Sequence, residues 1–347
     1  MRCAGWLRLT GACLVWLTMA VSARAYVVFP NIEYESPGSS RNQLDVYLPD
    51  NGPSPALPTV VYIHGGGWMS YSKDADVPLY VELTNRGYAV VPCNYTLSTS
   101  TAPGFPQAVQ DVKNVVRWVR VHGSQYGLSP KVVVVGPSAG GHLAMMAATT
   151  SGDPMFETLE PPLGGYRPQA FVNIVGFSDL EWHATTYGQN YMFLAFLGQP
   201  YGPETQSLYR SASPIFHVTA CDPPGALIHG TADPVVPHQH SLMMADMMAA
   251  NDIFASVSLV EGAGHSFSHF GGFVGVAERI DTMVQLLLPH MSTPDLNGDG
   301  NLNVADFTAM LNLFGLNDTR ADINGDGHLN IVDFTSYLQL FARGCGD

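Results

Sequence analysis

Val132-Val133-Val134-Val135-Gly136-Pro137-Ser138-Ala139-Gly140 is the stretch on which the fold of this 347-residue chain turns. Four consecutive valines bounded by turn residues suit a short strand buried on both faces. Such a strand ending in G-x-S-x-G reads as a nucleophile elbow, a strained strand-to-helix turn that lifts a serine hydroxyl clear of a sheet. The two glycines have a steric reason to be there: a Cβ at Gly136 or Gly140 is expected to collide with the adjoining strand or helix. The pattern predicts a strand over Val132–Val135, a helix after Ser138, and Ser138 as an exposed nucleophile.

Outward from this point, short apolar runs alternate with helical patterns between about residues 56 and 290. Strand candidates are Thr59–Ile63, Tyr88–Val91, Val132–Val135, Ala170–Val175, Ala226–Ile228 and Ala255–Val260. Val109, Val112, Val116 and Val119 recur at helical spacing, as a helix lying on one sheet face requires. This alternation predicts an α/β fold with a mostly parallel central sheet and helices on both faces. Residues 177–213, rich in Trp182, Tyr187, Tyr191, Phe193, Phe196 and Tyr201, break the rhythm. They read equally as a cap over the site or as an ordinary aromatic helix in the core.

The loops after these strands carry the chemistry. Thr59–Ile63 runs into His64-Gly65-Gly66-Gly67-Trp68, where small residues let backbone N–H groups approach a developing oxyanion. Gly66 and Gly67 are the expected loop donors, with Ala139, the residue after the serine, as the third. The spacing is not the G-x-G-x-x-G of a dinucleotide loop. Ala226–Ile228 leads to Asp233 in His229-Gly230-Thr231-Ala232-Asp233-Pro234, and Ala255–Val260 leads to His265 in Gly262-Ala263-Gly264-His265-Ser266-Phe267. An acid just past a strand end and a histidine in a Gly-rich loop suit a serine triad. The order Ser138, Asp233, His265 is that of α/β-hydrolases, unlike chymotrypsin or subtilisin. His269 lacks the Gly-rich approach of His265, His142 is expected to pack beneath the elbow, and Asp179 has a poorer loop context than Asp233. His183, His217, His238 and His240 show no convincing metal spacing.

At the N-terminus, Arg2 and Arg8 precede the apolar stretch Gly11 to Val21, and Ala23-Arg24-Ala25 suits a cleavage site. Residues 1–25 are therefore expected to be an export signal, the apolar run being short of the ~20 residues of a bilayer span. Loss of Arg2, Arg8 and Arg24 leaves 12 basic against 29 acidic residues, net −17, where the full chain carries −14. That balance argues against a nucleic-acid partner. Apolar content of 46% supports a large core rather than disorder. Cys93, Cys221 and Cys345 would remain after processing, enough for at most one internal bridge in an oxidising compartment.

Beyond the linker Met291-Ser292-Thr293-Pro294 the sequence repeats. Asp295-Leu296-Asn297-Gly298-Asp299-Gly300-Asn301-Leu302-Asn303-Val304-Ala305-Asp306 returns 27 residues later as Asp322-Ile323-Asn324-Gly325-Asp326-Gly327-His328-Leu329-Asn330-Ile331-Val332-Asp333. Oxygen side chains at loop positions 1, 3, 5, 9 and 12 (Asp295, Asn297, Asp299, Asn303 and Asp306; Asp322, Asn324, Asp326, Asn330 and Asp333), the carbonyls of Asn301 and His328, and a glycine at position 6 form a calcium-loop pattern. Two Ca2+ sites are expected. Phe307, Leu311 and Phe314, with Phe334, Leu338 and Phe341, give each following helix an apolar face. Eight acids and two arginines in this segment should repel one another until calcium binds.

Two resemblances gather these observations. His64–Trp68, Gly136–Leu143, Ser213–Val218, His229–Pro237 and Gly262–Phe267, with Asn94-Tyr95-Thr96-Leu97, Phe105-Pro106 and Asp111-Val112, resemble the α/β-hydrolase esterases of the hormone-sensitive-lipase and bacterial feruloyl/acetylxylan esterase type, over about residues 40–288. The resemblance implies carboxylic ester hydrolysis through an acyl-enzyme on Ser138, with no cofactor for catalysis. Pro137 stands where that group often has an acid. Residues 295–343, with Asp rather than Glu closing each loop, resemble a type I dockerin. That likeness implies a cohesin-type partner read by Val304-Ala305 and Ile331-Val332, and most often accompanies enzymes acting on plant polysaccharide such as xylan.

The expected plan is therefore a signal peptide (1–25), an esterase domain (26–290), a linker (291–294) and a small all-α dockerin-like domain (295–347), secreted or held at the cell surface. A serine peptidase or lipase of the same fold and a catalytically silent, calcium-dependent adhesion module are the alternative readings.

Overall fold

The structure is a computed structural model that describes residues 26–34, 40–54, 57–157, 159, 165–291, 296, 302–318, 321–323 and 328–342. The expected signal peptide, nearly all of the linker, and Asp295, Asn297, Asp299, Asn301, Asn324, Asp326 and Cys345 lie outside the described residues.

Eight strands form one sheet: β1 (Tyr26–Glu33), β2 (Gln43–Pro49), β3 (Thr59–Ile63), β4 (Val90–Cys93), β5 (Val132–Pro137), β6 (Ala170–Ile174), β7 (Gly225–Gly230) and β8 (Ala255–Val260). Their order across the sheet is β1-β2-β4-β3-β5-β6-β7-β8. The six strands from β3 onward run parallel, and β1 and β2 join antiparallel at one edge. The expected mostly parallel sheet is found, but β1 and β2 were absent from the strands read in the sequence. Asp45 explains part of that omission. It interrupts the apolar alternation of β2 and is buried in an ion pair with Lys73 at 2.9 Å. β4 also starts two residues later than the Tyr88–Val91 segment suggested.

Helices cover both faces. They are α1 (Val77–Thr84), α2 (Gln107–His122), α3 (Ala139–Thr149), α4 (Leu180–Tyr187), α5 (Tyr191–Leu197), α6 (Gln206–Ser211), α7 (Gln239–Ala250) and α8 (Gly272–Leu287), followed by α9 (Val304–Gly315) and α10 (Ile331–Ala342). The valine run shows why its apolar residues are continuous. Val132 and Val134 enter the core shared with α2, α3 and α7, whereas Val133 and Val135 face that of α1 and α8. Val109, Val112, Val116 and Val119 all pack into the first of these cores, as their helical spacing predicts. Met310, Leu313, Ala321, Ile323 and Tyr337 form a third, separate cluster around α9 and α10.

The chain leaves β3 for β4 on one side and returns to β5 on the other. Loops after β3 and β5 therefore diverge, opening a crevice at the carboxyl ends of the strands where parallel α/β sheets bind their ligands. Both the His64–Trp68 loop and Ser138 lie at this switch point.

Candidate active site

Ser138 sits between the last residue of β5 and the first of α3 with φ +55° and ψ −118°. A non-glycine residue in this region is strained by about 1–3 kcal/mol. Its N–H donates to the Ile174 carbonyl at 2.7 Å and its carbonyl accepts from His142 N–H at 3.0 Å, so the turn is held from both sides. The helix then passes so close to β3 that a Cβ on Gly140 would stand 2.0 Å from the Ile63 carbonyl oxygen. Elbow geometry and the absence of a side chain at Gly140 are one requirement.

The loops after β7 and β8, neighbouring strands of the sheet, bring the acid and the base to the serine. Ser138 Oγ lies 3.0 Å from His265 Nε2, and His265 Nδ1 lies 2.8 Å from Asp233 Oδ2. In the matching tautomer Ser138 donates to Nε2 and Nδ1–H donates to Asp233. The other carboxylate oxygen, Oδ1, accepts from the amides of Val235 at 2.8 Å and Val236 at 2.9 Å. Burial alone would raise the Asp233 pKa. The hydrogen bond and charge of His265, with the two amides, outweigh it and lower the value, so the carboxylate is held ionised.

A second histidine secures this acid. His229 ends β7, buried, with Nε2–H donating to the Val236 carbonyl at 2.8 Å and Nδ1 accepting from Ser241 Oγ at 2.8 Å. It bonds to the same residue whose N–H holds Asp233, and Nε2 is 3.7 Å from Asp233 Oδ2. Burial lowers its pKa to about 4, so it braces the loop as a neutral ring. The residue was visible in the sequence only as the start of a Gly-rich turn.

The loop after β3 wraps the serine from the other side. Gly66 has φ +104°, and a Cβ there would lie 2.3 Å from the Ser70 carbonyl oxygen. The Gly66 carbonyl is spent on the N–H groups of Met69 and Ser70 and on the Ser70 hydroxyl. The N–H groups of Gly66, Gly67 and Ala139 make no hydrogen bond among the described residues. Two side chains that sequence reasoning left without a role fix the loop. Trp68 is wholly buried, stacks on Phe196 at 4.5 Å, and donates through Nε1–H to His142 Nδ1 at 3.3 Å. His142, beneath the elbow as expected, passes its own Nε2–H to the Ala212 carbonyl at 2.7 Å. Tyr95 donates to the carbonyls of His64 and Gly65 at 3.1 and 3.2 Å.

Residues 177–213 contribute aromatic side chains to the core, as one of their two readings expects. Phe193, Phe196 and Tyr209 join the core, while Met192 packs over Gly67 and Tyr191 beside it is exposed. Asp179 accepts from Trp182 N–H at 2.8 Å and so caps α4 rather than meeting the serine's histidine. His183 and His240 approach each other at 3.2 Å, but no group of three or more metal-ligating residues occurs among the described residues. His269 makes no bond to Ser138 or Asp233. Cys93 is a buried free thiol, and Cys221 is disulfide-bonded.

In the duplicated tail, Asn303, Asp306, Asp322, His328, Asn330 and Asp333 are among the described residues. Each half uses the same construction. Asn303 and Asn330 accept from Ala305 and Val332 N–H at 2.8 Å, while Asp306 and Asp333 return bonds from Asn303 and Asn330 N–H at 2.9 Å. This is a capping box at the start of α9 and its counterpart at α10. Both aspartates are wholly buried, and Asp333 also accepts from Ile323 N–H at 3.1 Å.

An eight-stranded, mostly parallel sheet, helices on both faces and a serine elbow at the carboxyl end of β5 define an α/β-hydrolase fold. Within that class the chain belongs to the BD-FAE family, whose model matches residues 44–248. It is 30% identical over 240 residues to esterase LipQ of Mycobacterium tuberculosis, covering 67% of this chain and 55% of that protein. The chain spans about half the length of the curated relatives it matches. Among solved structures it is similar to a truncated carbohydrate esterase from gut microbiota, with TM-score 0.65, 24% identity, and coverage of 79% of this chain and 99% of that one. A bifunctional GH43-CE protein of Bacteroides eggerthii gives TM-score 0.64 and 26% identity, over 76% of this chain and 35% of that one. No helix among the described residues is long and apolar enough to cross a membrane.

Proposed function

We propose that this chain is a secreted serine carboxylic ester hydrolase that removes short acyl groups, acetyl or feruloyl, from plant polysaccharide such as xylan. The observation that carries the reading is the continuous line Ser138–His265–Asp233, at 3.0 and 2.8 Å, on a strand-to-helix elbow beside a Gly-rich loop whose Gly66 and Gly67 N–H groups make no hydrogen bond among the described residues. His265 takes the Ser138 proton as Oγ attacks the ester carbonyl, and Asp233 stabilises the imidazolium that forms. The N–H groups of Gly66, Gly67 and Ala139 receive the oxyanion, each worth roughly 3 kcal/mol by analogy with a protease donor. His265 then returns the proton to the leaving alcohol, and water activated by the same base releases the acid. The esterase name of a relative at 30% identity supports the reaction class, and the dockerin-like pattern of the tail supports a polysaccharide substrate. A fluorophosphonate probe is expected to label Ser138 and Ser138→Ala to abolish aryl acetate hydrolysis; an unlabelled serine, or a mutant that still turns over, refutes the assignment. Acetylated xylan, feruloylated arabinoxylan and aryl esters of increasing chain length then identify the acyl group.

The tail is read as a calcium-dependent docking module for a cohesin-type protein. Its donor set fits a hard cation, being oxygen throughout, and the buried carboxylates of Asp306 and Asp333 supply anionic oxygens where each loop enters its helix. Asp295, Asn297, Asp299, Asn301, Asn303 and Asp306 would hold one Ca2+, and Asp322, Asn324, Asp326, His328, Asn330 and Asp333 the second. Bound calcium would neutralise the acidic loops and fasten them to α9 and α10. Val304 and Ile331, 75% and 70% exposed at equivalent positions, are apolar side chains with a surface still to cover.

A further inference from the structure

A cavity of about 480 Å³ lies between β8, α8 and the turn Phe267–Phe270. None of the residues given catalytic roles lines it. Its walls carry Ser258 from β8, His269 from the turn, and Glu278 and Arg279 from α8, above the apolar surfaces of Phe270 and Met283. The volume lies within the ordinary range of small-molecule pockets.

These polar groups have unspent hydrogen-bonding capacity. Arg279 makes no ion pair or hydrogen bond among the described residues, and its Nε is buried without a partner. The Ser258 hydroxyl, the His269 ring and the Glu278 carboxylate likewise bond to no side chain or backbone group among the described residues. Buried donors in folded proteins are almost always satisfied; the Arg279 Nε–H is closed off from water without a partner, while the rest of this half-buried side chain borders the cavity, beside the exposed Glu278 and His269. An arginine Nε–H without a protein partner, beside an imidazole and a hydroxyl, calls for oxygens supplied from outside. The planar guanidinium offers a fork that fits a carboxylate with two parallel bonds.

Glu278 narrows the choice of ligand. A carboxylate on the same wall opposes a dianion such as phosphate but accepts hydrogen bonds from hydroxyl groups. The occupant that answers all four groups is therefore a monoanion bearing several hydroxyls, with a ring whose apolar face can rest on Phe270 and Met283. We propose that this cavity is a binding site for a sugar carboxylate of uronic-acid type, separate from Ser138.

The test uses the full chain carrying Ser138→Ala, so that turnover contributes nothing, titrated with D-glucuronate by calorimetry or ligand-observed NMR. Saturable one-to-one binding is expected, with methyl glucoside and inorganic phosphate each at least about tenfold weaker. Arg279→Met should weaken glucuronate by at least about tenfold at an unchanged melting temperature. Arg279→Lys, which keeps the charge and the aliphatic stem, should give a comparable loss and serves if the methionine variant fails to fold. Absence of saturation, binding indifferent to both Arg279 substitutions, or phosphate binding as tight as glucuronate would overturn the proposal.

Discussion

Asp233→Asn tests the relay more sharply than removal of the serine, because the structure dictates how the new amide must sit. Asp233 Oδ1 accepts two backbone N–H groups, Val235 at 2.8 Å and Val236 at 2.9 Å. Only the oxygen of an asparagine can take that place, so its NH2 group replaces Oδ2 and points at His265 Nδ1. Two donors cannot face each other at 2.8 Å. The imidazole must therefore present a bare Nδ1 to the amide and move its proton to Nε2, 3.0 Å from Ser138 Oγ. The hydroxyl then has no base. The equivalent change in a serine protease lowers kcat by about 10⁴, or about 5 kcal/mol of transition-state free energy. The same loss is expected here in steady-state hydrolysis of an aryl acetate, with the circular dichroism spectrum unchanged because every backbone bond to residue 233 survives. A variant that retains kcat within about tenfold of the parent would refute the tautomer argument and, with it, Asp233 as the orienting acid.

Four further outcomes follow from the same geometry. Gly140→Ala places a Cβ 2.0 Å from the Ile63 carbonyl oxygen and should prevent recovery of soluble, monodisperse protein; normal expression and melting would contradict the elbow packing. Trp68→Ala should cost about 3–5 kcal/mol in chemical denaturation, since it empties a wholly buried site and strips His142 of its donor. Burial holds His64, His142, His183 and His229 at pKa values of about 4, and these groups regain ordinary values near 6.5 on unfolding. The unfolded chain then binds more protons between those limits, so stability present above pH 6.5 falls toward pH 4 by up to about 1.4 kcal/mol per pH unit for each histidine that takes up a full proton. Thermal melts across that window should show the decline, and a flat profile would refute it. Finally, EDTA added to the full chain should reduce the helical circular dichroism of the tail, calcium should restore it, and Asp306→Ala or Asp333→Ala should each blunt the response; a spectrum indifferent to calcium would remove the metal from the reading.

What was legible in the sequence depended on whether a residue's surroundings were local. The valine run could be read because a strand buried on both faces has no polar positions, and Val132 to Val135 divide evenly between the two cores. Ser138, Asp233 and His265 could be read because each closes a strand with a turn whose glycines announce a close approach. β2 could not, since Asp45 is apolar neither in chemistry nor in pattern and belongs inside only because Lys73, 28 residues away, arrives to neutralise it. The same reason hid the roles of Trp68 and His229 and, although His142 is expected beneath the elbow, its hydrogen-bond partners. Each satisfies its polar atoms with a partner brought by another element, such as the Ala212 carbonyl or the Ser241 hydroxyl, and nothing in the neighbouring residues signals that partner. Asp179 and Asp233 show the distinction within one residue type. Both follow strands, yet Asp179 turns its carboxylate to the first turn of α4, whereas Asp233 spends one oxygen on its own loop and leaves the other for His265. The elements that present the reacting groups are therefore written along the chain, while the buried groups that hold them in register follow from the packing of elements distant in sequence.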